Sequence, residues 1–307
     1  MKTAPRLTVV IPTLNREQVL LDTIKQILSD RFKELELIVV DQTLRHKPAT
    51  KRALEAIRDD RFRYYLVTPP SGVAAKNFAL QRARAPLTLF LDDDIDLSPQ
   101  CITEHVKALD KDPELMGVAG RVTQADHEQT DTLLHFDKYG LSHGRFNYKK
   151  RQYTDTMPGG NMSVRTEAAL AVGGFSTNFL RSQHREESEF CVRYHRRFPK
   201  IIFEPKAKLE HLEAPYGGTR IKTDFADNPD FYKNNLYFML RKVSLKDLPA
   251  ASLKQLRLYA LRKNPILTLR RVPMFIIGYV TALKRMVWPV KIVSEELPWK
   301  GSHGKRA

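Results

Sequence analysis

The chain has 307 residues, 42% hydrophobic and 28% charged, a balance that excludes a disordered or fibrous polymer. Its formal charge of +16 is concentrated near the end: from Arg241 onward 15 Lys and Arg face only Asp247, Glu295 and Glu296, a net +12. Two cysteines, Cys101 and Cys191, exclude a disulfide framework and a cysteine metal site, and they fit a reducing cytoplasm.

Met1 to Arg6 lead directly into a strand-like run with no secretory apolar segment, so a cytoplasmic location is expected. The apolar run 7–11 predicts a first buried strand, closed by the turn Pro12-Thr13-Leu14-Asn15-Arg16. Val19, Leu20, Thr23, Ile24, Ile27 and Leu28 then follow helical spacing. A second strand, 35–40, ends on Asp41-Gln42-Thr43, and 49–57 is helical. A third strand, 62–67, stops at Pro69-Pro70, after which Ser71-Gly72 opens a helix reaching Ala83. Alternation at this rhythm predicts an α/β fold, a mostly parallel central sheet with helices on both faces. Right-handed crossovers would bring Asp41 and Asp92 to one edge.

The fourth strand, 87–91, runs into Asp92-Asp93-Asp94-Ile95-Asp96. A buried strand cannot carry unpaired charge, so these acids belong where it emerges, at the end where open α/β sheets bind ligands. Side chains alternate, which puts Asp92 and Asp94 on one side and Asp93 on the other. Converging carboxylates repel unless a cation joins them, and oxygen ligands suit Mg²⁺ or Mn²⁺ shared with substrate phosphates. Alternatively the acids punctuate a strand end and start a helix, which accounts for Asp96 before Ser98-Pro99 better than for three consecutive Asp. No glycine-rich dinucleotide turn and no P-loop occurs.

Residues 123–156 are polar and aperiodic, either a functional loop or an insertion. Gly159-Gly160 precede a strand, where glycine permits close approach by a ligand or another strand. Thr166 is expected to cap a short helix ending at Gly173-Gly174-Phe175. The helix 185–197 begins with Glu186 and Glu187, which suit its N-terminal dipole or, facing a cleft, a general base. Short strands follow at 201–203 and 207–212. His211 is polar punctuation or, with aspartates near, a metal ligand. Tyr216-Gly217-Gly218-Thr219-Arg220 is a basic-tipped loop suited to closing over phosphates.

In this order, VVIPTLNR, LIVVDQT, SGVAAKNFAL, LFLDDDID, GGNMSVR, VGGF, REESEF and LEHL resemble the family 2 glycosyltransferases, over about residues 5–215. The resemblance implies the GT-A nucleotide-sugar fold. It implies that Asp41 binds the nucleobase beside Pro12 and Thr13, with Lys76 and Asn77 near the nucleotide. Asp94 would hold a divalent ion, Mg²⁺ or Mn²⁺, with Asp92 on ribose and ion and His211 as a third ligand. Glu187 matches the general base; Glu186-Glu187 stands where the family has Glu-Asp, which leaves open which acid serves. The expected donor site also takes in Asn15, Asp93, Gly160 and Arg220. The implied reaction is one inverting displacement, moving a hexosyl group from a nucleoside-diphosphate sugar to a hydroxyl of a glycan or lipid-linked acceptor.

Beyond residue 216 the resemblance fades, so 1–215 is expected as the catalytic domain and 216–307 as a basic helical extension. Helical pieces are predicted at 229–242, 250–263 and 265–284. The apolar run 272–283 is shorter than the about twenty residues a span requires, and reads as a basic amphipathic helix on an anionic membrane surface. The other reading packs these helices on the catalytic domain and leaves a basic solvated face. Two further functions compete: a nucleotide-sugar-binding or nucleotidyltransferase-like protein, which would begin with a glycine-rich loop, and a basic nucleic-acid-binding protein. The latter lacks any motif, and no nucleic acid is expected as a partner.

Overall fold

A computed structural model describes residues 4–125, 128–179, 184–218, 225–261, 263–290 and 294–299. Strands β1 (Leu7–Thr13), β2 (Leu35–Asp41) and β3 (Phe62–Thr68) alternate with helices α1 (Gln18–Ser29), α2 (Pro48–Ala56) and α3 (Gly72–Leu80). β4 (Leu87–Leu91), β5 (Ile95–Leu97), α4 (Cys101–Lys111) and β6 (Gly117–Thr123) follow. β1, β2 and β4 are buried at nearly every residue, as strands covered on both faces must be. Ser71 opens α3 as expected, its Oγ accepting from Ala74 N at 3.3 Å.

The stretch expected to be aperiodic holds a small hairpin, β7 (His135–Phe136) with β8 (Ser142–His143), and a short strand β9 (Gln152–Tyr153) on the main sheet. Then come β10 (Asn161–Arg165), α5 (Thr166–Ala171), α6 (Glu186–Arg197) and β11 (Ile201–His211). The two strands expected at 201–203 and 207–212 are one. Its pairing with β6 shifts register between Glu204 and Lys208, around Pro205, which has no N–H to give the ladder. Thr166 is not a cap either. Arg165 is the N-cap residue, and the Thr166 hydroxyl donates to Ala85 O at 2.8 Å.

The sheet order is β12-β3-β2-β1-β4-β10-β6-β11-β5, where β12 (Glu295–Leu297) lies antiparallel on the edge of β3. β3, β2, β1 and β4 are parallel, so their carboxyl ends share one rim. β10 runs antiparallel to β4 with Asn161 opposite Leu91, which brings Gly159-Gly160 to the same rim. β11 ends there too, with His211 opposite Ile95. One apolar core joins the sheet to α1, α2 and α4; a second joins its other face to α3, α5 and α6.

The second core continues across residue 215 into the C-terminal helices, α7 (Pro229–Lys242), α8 (Leu248–Gln255) and α9 (Pro265–Val287). Phe238 of α7 meets Phe136 at 4.7 Å, and Phe275 and Ala282 of α9 are buried in the same cluster. Asn228 and Asn264 cap α7 and α9, each followed by a proline at the first helical position. α9 is longer than its apolar run. Arg271 and Arg285 do not end the helix but turn inward, so it reaches 23 residues.

Candidate active site

At the rim, the register of β1 with its neighbours puts Thr13 beside Asp41 on one side and near Asp93 on the other. The Thr13 hydroxyl donates to Asp93 Oδ2 at 2.6 Å. The acids do not divide as strict alternation predicted: Asp93 and Asp94 are both buried and share Arg16, while the Asp92 side chain is 45% exposed, because the strand ends at Leu91 and its period-2 geometry ends with it. Arg16, buried directly after the first turn, makes this tolerable. Its guanidinium donates to Asp93 Oδ1 at 3.0 Å, to Asp94 Oδ2 at 2.8 Å, and to the backbone oxygens of Ala214 and Tyr216. One cation therefore neutralises two acids and fastens the loop after β11 over them.

Burial pushes the Asp93 carboxyl up to about 6, with Arg16 and Thr13 holding it down. Burial acts on Asp94 too, but the His211 contact, Arg16 and the Ala214 N–H bring it below the usual carboxylate range. His211 Nε2 lies 3.1 Å from Asp94 Oδ1 and 3.7 Å from Asp92 Oδ2.

Across the cleft, Arg185 adopts a left-handed conformation, φ 74°, and starts α6 so that Glu186 and Glu187 diverge. Glu186 is buried and takes an ion pair from Lys76 Nζ at 2.5 Å. Burial works against the Lys76 ammonium, but Glu186, with Asp92 and Glu187 behind it, holds it protonated above its ordinary value. Burial lifts the Glu186 carboxyl, and Lys76 opposes that lift. Glu187 is half-buried and accepts from the Ser188 hydroxyl at 3.0 Å. Between the two acid groups lie the glycines. A Cβ on Gly160 would sit 2.0 Å from Asp92 Oδ2, and one on Gly159 would sit 3.3 Å from Glu187 Cβ. Only glycine lets the chain pass there undisturbed.

These residues enclose a cleft of about 330 Å³, lined among others by Pro12, Thr13, Lys76, Asp92, Asp93, Asp94, Gly160, Glu186, Glu187 and His211. A second cavity of about 500 Å³ adjoins it through shared walls at Asp92, Gly159, Gly160 and Glu187. Val122, Leu134, Phe146 and Leu209 make its apolar side, Gln124, Arg145 and Asn147 its polar one.

Three expected contact residues lie off the cleft wall. Asp41 is fully buried, accepting from Thr43 N at 2.7 Å and Tyr64 OH at 2.9 Å, with His46 Nε2 at 2.7 Å. The next residue, Gln42, takes the wall instead. Asn77 holds both the N–H and the C=O of Phe175 at 2.8 Å, so it shapes the Gly173-Gly174 turn. Asn15 sits in the first turn at φ 54°, its N–H bonded to Thr43 Oγ1. Arg220 lies outside the described residues. Sequence reasoning missed Arg16, Gln42 and Arg185. For Arg16 a signal existed, a base just past the first strand of a sheet whose fourth strand ends in three acids.

Among the described residues, no three His, Cys, Asp or Glu side chains are already set as a metal cage. The donor chemistry nevertheless fits. Asp94 and His211 offer the carboxylate oxygen and imidazole nitrogen that a small divalent ion would take, side by side at 3.1 Å with Asp92 next to them.

The family model described as Glycosyl transferase family 2 matches residues 8–172. A GalNAc(5)-diNAcBac-PP-undecaprenol beta-1,3-glucosyltransferase of Campylobacter jejuni is 37% identical over 99 residues, 30% of this chain and 31% of that protein. The matched stretches cover only 31% and 36% of the length of the curated relatives. A mannosyltransferase from Pyrobaculum calidifontis, solved with GDP-Man and Mn²⁺, superposes with TM-score 0.56 at 16% identity, over 94% of this chain and 88% of that one. TarS 1–349 of S. aureus, solved with UDP-GlcNAc, gives TM-score 0.57 at 11% identity, over 92% of each chain. The shared architecture is that of GT-A glycosyltransferases.

Proposed function

The chain belongs to glycosyl transferase family 2, and from that premise we propose an inverting, metal-dependent hexosyltransferase. It takes a nucleoside-diphosphate sugar and passes the sugar to a hydroxyl of a glycan or lipid-linked acceptor. The observation that carries this reading is the position of Glu187. It is the half-buried member of its acid pair, and it stands on the wall common to both cavities. Glu186 is committed to Lys76, so Glu187 is the general base.

The donor occupies the cleft at the rim, with Pro12, Thr13 and Gln42 at its nucleotide end. The acceptor enters from the second cavity, whose mixed apolar and amide lining suits a sugar ring. Glu187 takes the hydroxyl proton as that oxygen attacks the anomeric carbon. The bond to the diphosphate breaks on the opposite side, its electron pair leaves with the phosphate oxygen, and the configuration inverts. Five carboxylates line the donor cleft against Arg16, Lys76 and Arg185, so a bare diphosphate meets net repulsion. Mg²⁺ or Mn²⁺ held by Asp94, His211 and Asp92 would supply Lewis-acid stabilisation of the leaving group. Lys76, kept charged by Glu186, offers further positive charge from the cleft wall.

The names of the relative and the neighbours support the donor class, the metal and a lipid-linked acceptor. The two cysteines are buried free thiols, which fits catalysis in the cytoplasm.

The test is Glu187→Gln, assayed by nucleoside diphosphate release from a panel of UDP- and GDP-sugars with Mn²⁺ added or chelated. Donor binding by calorimetry should persist while turnover falls about 100-fold or more. Turnover equal to that of the parent chain ends the assignment.

A further inference from the structure

Helix α9 is apolar on two sides, one packed in the core and one exposed. Its inner face, against α7, carries Arg271, Phe275, Gly278, Ala282 and Arg285. A Cβ on Gly278 would meet Tyr232 Cβ at 2.7 Å, so glycine is what lets the two helices touch. Arg271 Nε donates to Asp227 Oδ1 at 2.9 Å, and Arg285 Nη1 to Asn234 Oδ1 at 3.3 Å. The outer face carries Leu269, Ile276, Val280, Leu283 and Val287, spaced to form one stripe, with Leu269 78% and Val287 66% exposed. A helix on the surface of a water-soluble domain keeps a polar outer face, where α9 carries this stripe. A continuous exposed apolar stripe marks an interaction surface.

The charge around the stripe says what covers it. Residues 248–290 contain eight Lys and Arg and no Asp or Glu. Arg270 and Lys284 are exposed on α9 itself. Lys254, Arg257 and Lys263 are exposed nearby, interleaved with the exposed Leu253, Leu258 and Leu261. Exposed apolar side chains interleaved with cations match acyl chains bordered by anionic headgroups.

We infer that α9 docks this chain on an anionic lipid bilayer, lying in the plane of the membrane with its outer stripe among the acyl chains. The helix is long and apolar enough to cross a membrane by length and composition. Spanning would, however, strip Arg271 and Arg285 of their partners on the α7 side and carry both guanidinium groups into hydrocarbon. The in-plane position keeps them buried in protein. Trp288, 71% exposed just past the end of α9, sits where an interfacial aromatic anchors such a helix. This surface is independent of the transfer reaction, so its test does not depend on activity.

The full chain is sedimented with phosphatidylcholine vesicles with and without phosphatidylglycerol. Binding should be about tenfold or more tighter to the anionic vesicles and should weaken with salt. The double substitution Ile276→Asp, Val280→Asp should abolish it at unchanged melting temperature. Alkaline carbonate should release the bound chain, and in a Trp299→Phe background Trp288 emission should shift to the blue on binding. Absence of binding at low salt, or binding indifferent to the aspartates, overturns the inference. Retention through the carbonate wash overturns the in-plane placement in favour of a span. Self-association abolished by the same substitutions, with no vesicle binding, reassigns the stripe to a second copy of the chain.

Discussion

Arginine is buried both at the sheet rim and on the inner face of α9, and the two regions use it differently. At the rim, Arg16 lies among acids that outnumber the fixed cations, so after Asp93 and Asp94 are paired, Asp92 and Glu187 still face the cleft. On α9, Arg271 and Arg285 are drawn inward to Asp227 and Asn234, and the side left over is apolar. Burying a charge commits its partners, and the surface function is set by what remains uncommitted. At the rim what remains is carboxylate; on α9 it is hydrocarbon.

The comparison can be broken at its strongest point first. Arg16→Ala leaves two buried acids without their cation, and removing one partner of a buried pair costs about 3–5 kcal/mol. Urea unfolding should show a loss of that order, and donor binding should fall with it. A change below about 1 kcal/mol would mean that Asp93 and Asp94 do not depend on Arg16.

A buried group with no opposite charge sharpens the contrast. His105 is fully buried, its two ring nitrogens 2.8 Å from Ser163 Oγ and Asn161 Oδ1, and burial pushes it down to about 4. Its folded-state value lies below the ordinary 6.5. Stability from the neutral ring is therefore complete above that value and drains away as pH falls toward 4, by roughly 3 kcal/mol in all. Melting curves between neutral pH and pH 4 should show this acid-side loss, and His105→Gln should flatten it.

A smaller effect is expected from Gly160→Ala, because the intruding Cβ meets a half-exposed carboxylate that can swing away. Stability should hold within about 1 kcal/mol while donor turnover drops about tenfold through the displaced Asp92. The smallest is on the outer face of α9, where Leu269→Ser should change stability by no more than about 0.5 kcal/mol. A large loss there would mean that the stripe is packed against protein in solution.

Much of the rim could be read before any coordinates. Strand–helix alternation and the parallel-sheet argument put Asp41 and the acids after the fourth strand at one rim, and they are there; the paired glycines before β10 and His211 at the end of β11 were singled out in the sequence, but only the antiparallel β10 and the long β11 bring them to the same place. The misses are instructive. Asp41 lies at the rim, yet Tyr64 and His46 seal it, and those contacts come from a neighbouring strand and a later loop. Asn77 resembled a nucleotide ligand but spends both ends of its amide on Phe175, 98 residues away. The apolar run of α9 was measured between its charged pairs, although Arg271 and Arg285 turn inward and interrupt nothing.

Periodicity, chain adjacency and local charge are short-range properties, and they were enough to establish the α/β layering, the acid-rich strand end and the basic tail. Which of two consecutive glutamates is taken up by an ion pair was not. Successive helix positions point about 100° apart, and only the place of α6 beside Lys76 decides that Glu186 is held in an ion pair while Glu187 stands half-buried on the wall shared by the two cavities. The polarity of α9 was decided in the same way. Its outward face is apolar because α7 and its neighbours supply the partners that its arginines need, and no window of sequence contains both sides of that contact.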